Sequence, residues 1–373
     1  MLETPALILD AESLHRNADR MAAAVTSRGA MLRPHVKTSK CIEVVRLMLK
    51  DRAQAITVST LKEADYFLDH GLVDQIYAVG ITPNKLERVS ALRAKGADLK
   101  IILDSVDAAR AVAEHARRTG DAIPVLVEID SDGHRGGVQP QQQDLIAAIA
   151  DAIATGATVA GVLTHAGGSY AARTEEELRR YALMERDGAV AAAMQLRAMG
   201  HEAPIVSIGS TPTALSDVDL AGVTEVRAGV YIFFDLVMAG VGVCDVSDIA
   251  LSVLASVIAV QPEKNQFLVD AGWMALSRDR GTSAQAVDQG YGLVCDRNGV
   301  PFGDLIVESA NQEHGIVRGR KGSQAALPPV KIGDLVRILP NHACATAAAH
   351  DGYNFWNPAS GDVTLRWPRI GGW

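Results

Sequence analysis

The chain has 373 residues, of which 48% are hydrophobic and 21% charged, a composition typical of a globular protein with a sizeable core. Its net charge of −8 and its pI near 5.7 argue against nucleic acid or an anionic membrane surface as a partner. The four cysteines form no CxxC pair, and neither a basic leader nor an apolar stretch of membrane-spanning length is present, so we expect a cytoplasmic protein without a disulfide framework.

Up to residue 235, short apolar runs alternate with helical patterns. The predicted strands are Met31–Val36, Ala55–Ser59, Gln75–Val79, Leu99–Leu103, Pro124–Asp130, Val159–His165, Pro204–Gly209 and Glu225–Tyr231. The predicted helices between them include Leu61–His70, Val106–Arg118, Gln143–Ala154, Glu175–Met199 and Thr213–Val218. Strands that are apolar along their whole length and separated by helices predict an α/β fold, a parallel (β/α)8 barrel over residues 12–235.

Beyond Asp235, strand-like runs follow one another without long helices. They are Ile249–Gln261, Gln266–Asp270, Gly290–Asp296, Leu305–Glu308, Ile316–Arg318 and Leu335–Leu339. Turn-forming clusters separate them, which predicts a smaller, mostly antiparallel β domain over residues 236–373. Residues 1–11 are assigned to the same domain, because the run Ala6–Asp10 precedes the barrel and could pair with it.

Lys37 follows directly on the first predicted barrel strand, before a helix predicted at Cys41–Lys50. A lysine at the exit of a buried strand is costly to desolvate unless its pKa is lowered or its amine is used in chemistry. Amines of this kind are the usual Schiff-base nucleophiles. A solvated loop lysine is the alternative, because strand ends are commonly wet.

Glycines and hydroxyls at two further strand ends predict a phosphate site. Ser210 and Thr211 follow Gly209 where a strand passes into a helix, and such a turn offers amide and hydroxyl donors to an anion. Gly229 follows the last strand, a position at which barrels often complete a phosphate site. Ordinary helix capping by Ser210 or Thr211 is the alternative.

Two other strand-end residues could contact an aromatic cofactor. Arg135 could donate a charge-assisted hydrogen bond to a phenolate, or it could be a loop arginine paired with nearby acids. His165 lies in a glycine-rich turn and could stack on a ring, or it could be a core histidine with satisfied hydrogen bonds.

His342 and Cys344 form the last candidate site. On a strand, residues i and i+2 point to the same side, so both side chains could bind one metal ion. Imidazole with thiolate favours Zn²⁺, and a two-residue ligand set leaves coordination positions open for substrate. A buried cysteine beside an unrelated histidine is the alternative.

Three motifs together resemble a known family. They are Arg33-Pro-His-Val-Lys37-Thr-Ser, Gly209-Ser-Thr-Pro-Thr213 and Val226-Arg-Ala-Gly-Val230. They resemble the fold-type III pyridoxal-phosphate enzymes, which are built on the alanine-racemase barrel. With His342 and Cys344 added, the resemblance extends over nearly the whole chain, to the branch of D-serine dehydratases and D-threonine aldolases.

The resemblance implies roles for individual residues. Lys37 would hold pyridoxal phosphate covalently and act as the catalytic base, and Arg135 would face its phenolic oxygen. The other implied cofactor contacts are His165 against the ring, Tyr170 elsewhere at the cofactor, Arg227 at the pyridine nitrogen, and Ser210, Thr211, Gly229 and Val230 at the phosphate. His342 and Cys344 would be catalytic residues that bind a divalent metal, with Zn²⁺ favoured and Mn²⁺, Co²⁺ or Mg²⁺ as alternatives.

The implied reaction is elimination of water from a D-3-hydroxy amino acid. Loss of water would leave an enamine, whose hydrolysis would give oxaloacetate and ammonia from D-threo-3-hydroxyaspartate, and pyruvate and ammonia from D-serine. The alternative is a retro-aldol cleavage to glycine and an aldehyde, although aldolases of this branch more often carry His-x-Asp. A racemase or a non-catalytic cofactor carrier fits less well. The resemblance also implies a homodimer. Candidates for reading the substrate's distal group are Arg278, Arg280, Asn311, Gln312 and His314.

Overall fold

The computed structural model describes residues 2–357 and 359–373, which form two compact units. One unit comprises residues 2–18 together with residues 230–371. The other comprises residues 19–229 and the last two residues, Gly372 and Trp373. The domain limits placed at residues 12 and 235 follow the change in sequence pattern and stay a prediction.

The described part of the chain contains the following strands and helices. The strands are β1 (Ala6–Leu9), β2 (Met31–Leu32), β3 (Ala55–Val58), β4 (Asp74–Gly80), β5 (Asp98–Leu103), β6 (Pro124–Ile129), β7 (Thr158–Thr164), β8 (Ile205–Ile208), β9 (Glu225–Val226), β10 (Leu251–Gln261), β11 (Gln266–Val269), β12 (Leu293–Cys295), β13 (Pro301–Ala310), β14 (Gly315–Gly319), β15 (Leu335–Leu339), β16 (Gly352–Trp356) and β17 (Val363–Pro368). The α-helices are α1 (Ala11–Thr26), α2 (Ile42–Leu49), α3 (Leu61–Asp69), α4 (Leu86–Ala94), α5 (Val106–Thr119), α6 (Gln143–Ala154), α7 (Glu175–Ala198), α8 (Thr211–Ala214), α9 (Leu236–Val241), α10 (Trp273–Leu276) and α11 (Ala343–Ala348). Short 3-10 helices cover Pro83–Lys85, Gly167–Ala171, Val230–Ile232, Val246–Asp248 and Pro262–Lys264.

Strands β2 to β9 form a parallel barrel, as the sequence predicts. Their order is β2-β9-β8-β7-β6-β5-β4-β3, and a parallel bridge between His35 and Thr57 links the segment after β2 to β3. An apolar cluster of Ile76, Ile102, Leu126 and Leu163 comes from four neighbouring strands. The side chain of Gln75 points outward to the helices, because its Nε2 donates to the backbone oxygens of Ala64 in α3 and of Leu72 after α3. Since side chains alternate along a strand, the next residue, Ile76, points into the barrel.

The first barrel strand is shorter than the predicted Met31–Val36. Pro34 has no N–H to donate, so the regular ladder ends at Leu32. The backbone nevertheless stays bonded, because Pro34 O accepts from Thr57 N at 2.9 Å and Val36 N donates to Thr57 O at 2.9 Å. Residues 36–39 then form a turn, which places Lys37 outside the strand.

Two predicted elements near the end of the barrel are also corrected. The predicted helix Thr213–Val218 is instead α8, Thr211–Ala214, because proline is tolerated in a first helical turn and Pro212 lies there. The predicted strand Glu225–Tyr231 ends at Val226, and its last residues turn into a 3-10 helix.

The second unit is a nine-stranded, mostly antiparallel sheet. Its order is β11-β14-β13-β12-β15-β10-β1-β16-β17, and β10 also pairs with β11, so six of these strands close into a ring. The prediction for Ala6–Asp10 is confirmed, because β1 pairs antiparallel with β10 and parallel with β16. Strands β16 and β17 were not predicted. No helix of the described residues is long and apolar enough to cross a membrane.

Candidate active site

The turn between β8 and α8 is tightly packed at Gly209. Its φ of +147° disfavours other residues, and a Cβ there would lie 2.2 Å from the backbone oxygen of Arg227. Ser210 caps α8, its Oγ accepting from Thr213 N at 3.2 Å, and it lies 3.0 Å from Ser169 Oγ. The capping alternative is therefore realised at Ser210. Phosphate binding by Ser210 and Thr211 stays a prediction.

We expect Gly209→Ala to lower the free energy of unfolding by roughly 2–3 kcal/mol, because the new Cβ meets a backbone atom that cannot move away. Gly71→Ala is the matched control: its φ is +86°, but nothing lies within 4 Å of its Cβ position. It should cost only about 1 kcal/mol. Urea unfolding of both variants measures the difference. Equal losses would mean that the close approach at Gly209 contributes nothing.

Gly229 lies at a second close approach. A Cβ on this residue would be 2.7 Å from His35 O and 3.1 Å from Thr38 Oγ1. The end of β9 therefore packs directly on the segment that carries Lys37. Val230, the next residue, begins a 3-10 helix and belongs to the other compact unit. Gly229 is buried, and its lack of a side chain is what permits this packing; the contact with a phosphate stays a prediction.

Glu185 is a buried carboxyl that sequence reasoning missed. Its Oε1 accepts from Ala166 N at 2.8 Å and its Oε2 accepts from Thr213 Oγ1 at 2.6 Å. Burial raises its pKa, although both hydrogen bonds oppose the shift. Glu185 thus ties the loop after β7 to α8. Its spacing from the apolar residues Ala182 and Ala189 places it on the buried face of α7, and this was the available signal.

His165 is held in one orientation. Its Nδ1 donates to Gly209 O at 2.6 Å, since a carbonyl oxygen can only accept. Burial lowers the pKa of His165 to about 3, and the positive charges of Lys37, Arg135 and Arg227 act in the same direction. The ring is therefore neutral near pH 7. The ring of Tyr170 lies 6.0 Å away, centroid to centroid.

Lys37 is exposed, so the expectation of a desolvated lysine is wrong. The reason is the turn that follows Pro34, which carries residue 37 away from the buried strand. The charge of Lys37 still reaches the neighbouring imidazoles. The pKa of His35 is held well below its usual value by burial, with Lys37, Arg227 and His165 adding to the shift. Four predicted site residues, Lys37, Arg135, His165 and Arg227, therefore come together in the barrel unit.

Arg227 is buried at the end of a polar network inside the barrel. Its guanidinium donates to Ser207 Oγ at 2.8 Å and to Thr164 O at 2.7 Å, while its Nε has no partner among the described residues. Ser207 in turn donates to Glu225, which pairs with Arg33 at 2.7 Å. Burial lowers the pKa of Arg227 to about 10, so the group stays charged. Its contact with a pyridine nitrogen stays a prediction.

His342 and Cys344 lie at the start of α11, so the prediction that both are on a strand is wrong. Strand β15 ends at Leu339 because Pro340 cannot donate to the ladder, and His342 is the N-cap of the helix. Asp235 Oδ2 accepts from Ala343 N at 2.9 Å, which fixes the first helical turn. The N-cap backbone of His342 is extended, and its side chain still hydrogen-bonds Cys344.

The charges around His342 favour a cation. Burial lowers its pKa, but the hydrogen bonds that its ring makes with Asp279 and Cys344, together with the charge of Asp235, outweigh burial and raise the pKa to about 11. Burial raises the pKa of Asp235 to about 6. Among the described residues, no group of three or more His, Cys, Asp or Glu side chains could hold a metal ion. An imidazole with a neighbouring thiol is nevertheless a donor set that suits a borderline-soft divalent ion.

The candidates for the substrate's distal group lie in two segments of the β unit. Arg278 lies over the ring of Trp273, 4.7 Å from its centroid. Arg280 pairs with Asp288 at 2.9 Å and lies over Tyr291, while its Nε has no partner among the described residues. Asn311, Gln312 and His314 are exposed. Their role stays a prediction.

Comparison with known proteins identifies the family. The model of the alanine racemase N-terminal domain matches residues 9–237, and that of a putative serine dehydratase domain matches residues 250–356. D-threo-3-hydroxyaspartate dehydratase of Delftia sp. (strain HT23) is 49% identical, over 100% of this chain and 98% of the relative. D-serine dehydratase of Dictyostelium discoideum is 29% identical, over 95% of this chain and 94% of the relative. D-threonine aldolase of Arthrobacter sp is 28% identical, over 94% of this chain and 88% of the relative.

Solved structures agree with these matches. The Delftia dehydratase superimposes with a TM-score of 0.96 at 49% identity, covering 100% of this chain and 99% of the relative. A variant of that dehydratase with cysteine replaced by alanine has been solved in a metal-free form. The chain therefore belongs to the alanine-racemase-type family of pyridoxal-phosphate enzymes, in the branch with a serine dehydratase domain. Within that branch it is a lyase of the dehydratase type.

Proposed function

We propose that this chain is a pyridoxal-phosphate- and metal-dependent dehydratase that converts D-threo-3-hydroxyaspartate to oxaloacetate and ammonia. The choice of substrate rests on the full-length similarity to D-threo-3-hydroxyaspartate dehydratase. The barrel residues supply the chemical support, because a lysine, two arginines and two tight glycine turns suit an anionic aromatic cofactor. D-serine is a further substrate to test.

The barrel residues fit the cofactor. Pyridoxal phosphate, when bound, supplies an electron sink for the negative charge formed at Cα of the substrate. Lys37 would hold the cofactor, and its amine would remove the α-proton of the substrate as general base. The residues proposed to hold the cofactor are Arg135 at the phenolic oxygen, His165 against the ring, Tyr170 elsewhere at the cofactor, Arg227 at the pyridine nitrogen, and Ser210, Thr211, Gly229 and Val230 at the phosphate.

His342 and Cys344 are proposed to bind a divalent metal. Such an ion supplies Lewis-acid stabilisation of the departing β-hydroxyl, which is otherwise a poor leaving group. The thiolate favours Zn²⁺, while Mn²⁺, Co²⁺ and Mg²⁺ are alternatives. Because aldolases of this branch more often carry His-x-Asp, Cys344 favours water elimination over retro-aldol cleavage. We also propose a homodimer. The cytoplasmic location stays a prediction.

A product assay on the purified chain tests this proposal. With D-threo-3-hydroxyaspartate we expect ammonia and oxaloacetate in equal amounts, and D-serine, run in parallel, should give pyruvate at a lower rate. The L-threo isomer serves as the stereochemical control and should give neither product. Glycine and glyoxylate in place of oxaloacetate would identify an aldolase and contradict the argument from Cys344.

A further inference from the structure

Asp279 lies against the proposed metal-binding histidine. Its Oδ2 is 2.6 Å from His342 Nδ1, a short, charge-assisted contact. Asp279 belongs to no recognisable sequence motif. It lies in a loop, 63 residues before His342. Both side chains are only partly exposed, 35% for Asp279 and 41% for His342. The contact is therefore partly open to solvent and accessible to a ligand.

The Asp279 carboxylate is held in place by its surroundings. Its Oδ1 accepts from Gly281 N at 2.8 Å, and its own backbone N–H donates to Ser277 Oγ at 2.9 Å. Its backbone oxygen accepts from Asn341 Nδ2 at 3.1 Å. Fixed at three further atoms, Asp279 presents Oδ2 to His342 in one direction.

Asn341 connects this loop to the histidine through the backbone. It is 2% exposed, and its Nδ2 also donates to Gly290 O at 2.7 Å while its Oδ1 accepts from Thr282 Oγ1 at 3.1 Å. The residue directly before His342 therefore anchors the loop that carries Asp279. These hydrogen bonds hold the loop of Asp279 in a fixed position beside the His342 imidazole, unlike an ion pair between two mobile surface side chains.

We propose that Asp279 is a positioning residue that orients His342 for metal binding. An ionised carboxylate can only accept, so the contact keeps a proton on Nδ1 and leaves Nε2, on the opposite side of the ring, as the nitrogen that would give up its own proton to bind a metal ion. The same bond fixes the rotation of the ring. This inference rests on the proposed metal site, and it adds a residue that does not itself touch the ion.

Metal affinity is the direct test. Metal-stripped protein that retains pyridoxal phosphate is titrated with Zn²⁺ in competition with a chromophoric chelator. We expect Asp279→Ala to weaken binding about 10- to 100-fold. Asp279→Asn, which keeps an oxygen for Gly281 N–H, should fall between Asp279→Ala and wild type. Asp288→Asn is the control, because Asp288 is a carboxylate of the same loop that pairs with Arg280 and not with His342.

A second readout separates positioning from folding. Cobalt-loaded wild type should show a visible band from thiolate coordination, and the band of Asp279→Asn should shift, because the imidazole is no longer fixed. Lyase activity of Asp279→Asn should return toward wild type at saturating metal. Wild-type affinity and an unchanged cobalt spectrum in Asp279→Ala would overturn the positioning role while leaving the metal site intact. Wild-type protein that binds no Zn²⁺, with His342→Ala equally active, would overturn the metal site itself.

Discussion

Replacing Lys37 with alanine is expected to lower the rate of ammonia release by at least about a thousandfold, because one amine both holds the cofactor and removes the α-proton. The variant should also lose the visible absorption of covalently held pyridoxal phosphate, while added cofactor still binds through the remaining contacts. Because Lys37 is exposed, its removal leaves no cavity, and the unfolding midpoint should change little. Activity and absorption spectra of the purified variant measure both effects.

Lys40→Ala is the matched control for this experiment. Lys40 lies three residues further along and forms an ion pair with Glu63 at 3.0 Å. Because Glu63 is buried, the loss of Lys40 should lower the free energy of unfolding by roughly 3–5 kcal/mol, yet leave the visible absorption of the folded protein in place. If Lys37→Ala kept the absorption and Lys40→Ala lost it, the assignment of the cofactor lysine would be wrong.

Removal of the metal is expected to have the second large effect. Dialysis against EDTA should lower dehydratase activity by more than about a hundredfold, because the leaving hydroxide then lacks Lewis-acid stabilisation. Added Zn²⁺ or Mn²⁺ should restore activity. The visible absorption should persist throughout, since the cofactor contacts lie on other residues. Ammonia release measured before chelation, after it and after reloading checks this.

Variants of the proposed ligands sharpen the metal experiment. Cys344→Ser should lose most activity at limiting metal and regain part of it at high metal, because a hydroxyl is a poorer ligand than a thiolate. Cys244→Ser is the control, a cysteine in a different segment of the same unit. Full EDTA resistance of the wild type, or equal losses in both cysteine variants, would contradict the assignment of Cys344.

The barrel was predictable because its evidence is local. Strands apolar along their whole length, such as Leu99–Leu103, recur between helical patterns, and each run carries its own signal. The ends of the strands were less predictable. The effect of Pro34 and Gly209 on the backbone depends on the neighbouring segments that they contact, and these contacts are not visible in the local sequence. Strands β16 and β17 were missed: Val363, Leu365 and Trp367 alternate with polar residues along β17, which was an available signal, although most of that strand is exposed.

The candidate site was predictable only as far as its motifs extend. Lys37, Ser210 and Arg227 follow recognisable strand ends, and His342 and Cys344 share a short spacing. Glu185 and Asp279 are single acids whose roles arise from partners far away in sequence, such as Asp279 with His342. The helical start of α11 depends on Asp235, more than 100 residues earlier, so no local pattern could have indicated it.

The position of β1 in the sheet has a consequence for synthesis of the chain. Ala6–Leu9 is entirely buried, and it lies between β10 and β16, whose residues leave the ribosome roughly 250 and 350 positions later. The unit of residues 19–229 is nearly continuous and can fold as soon as it emerges. The first strand must meanwhile wait as an unpaired apolar edge until β10 and β16 have been synthesised, which makes it a segment prone to aggregation in the nascent chain.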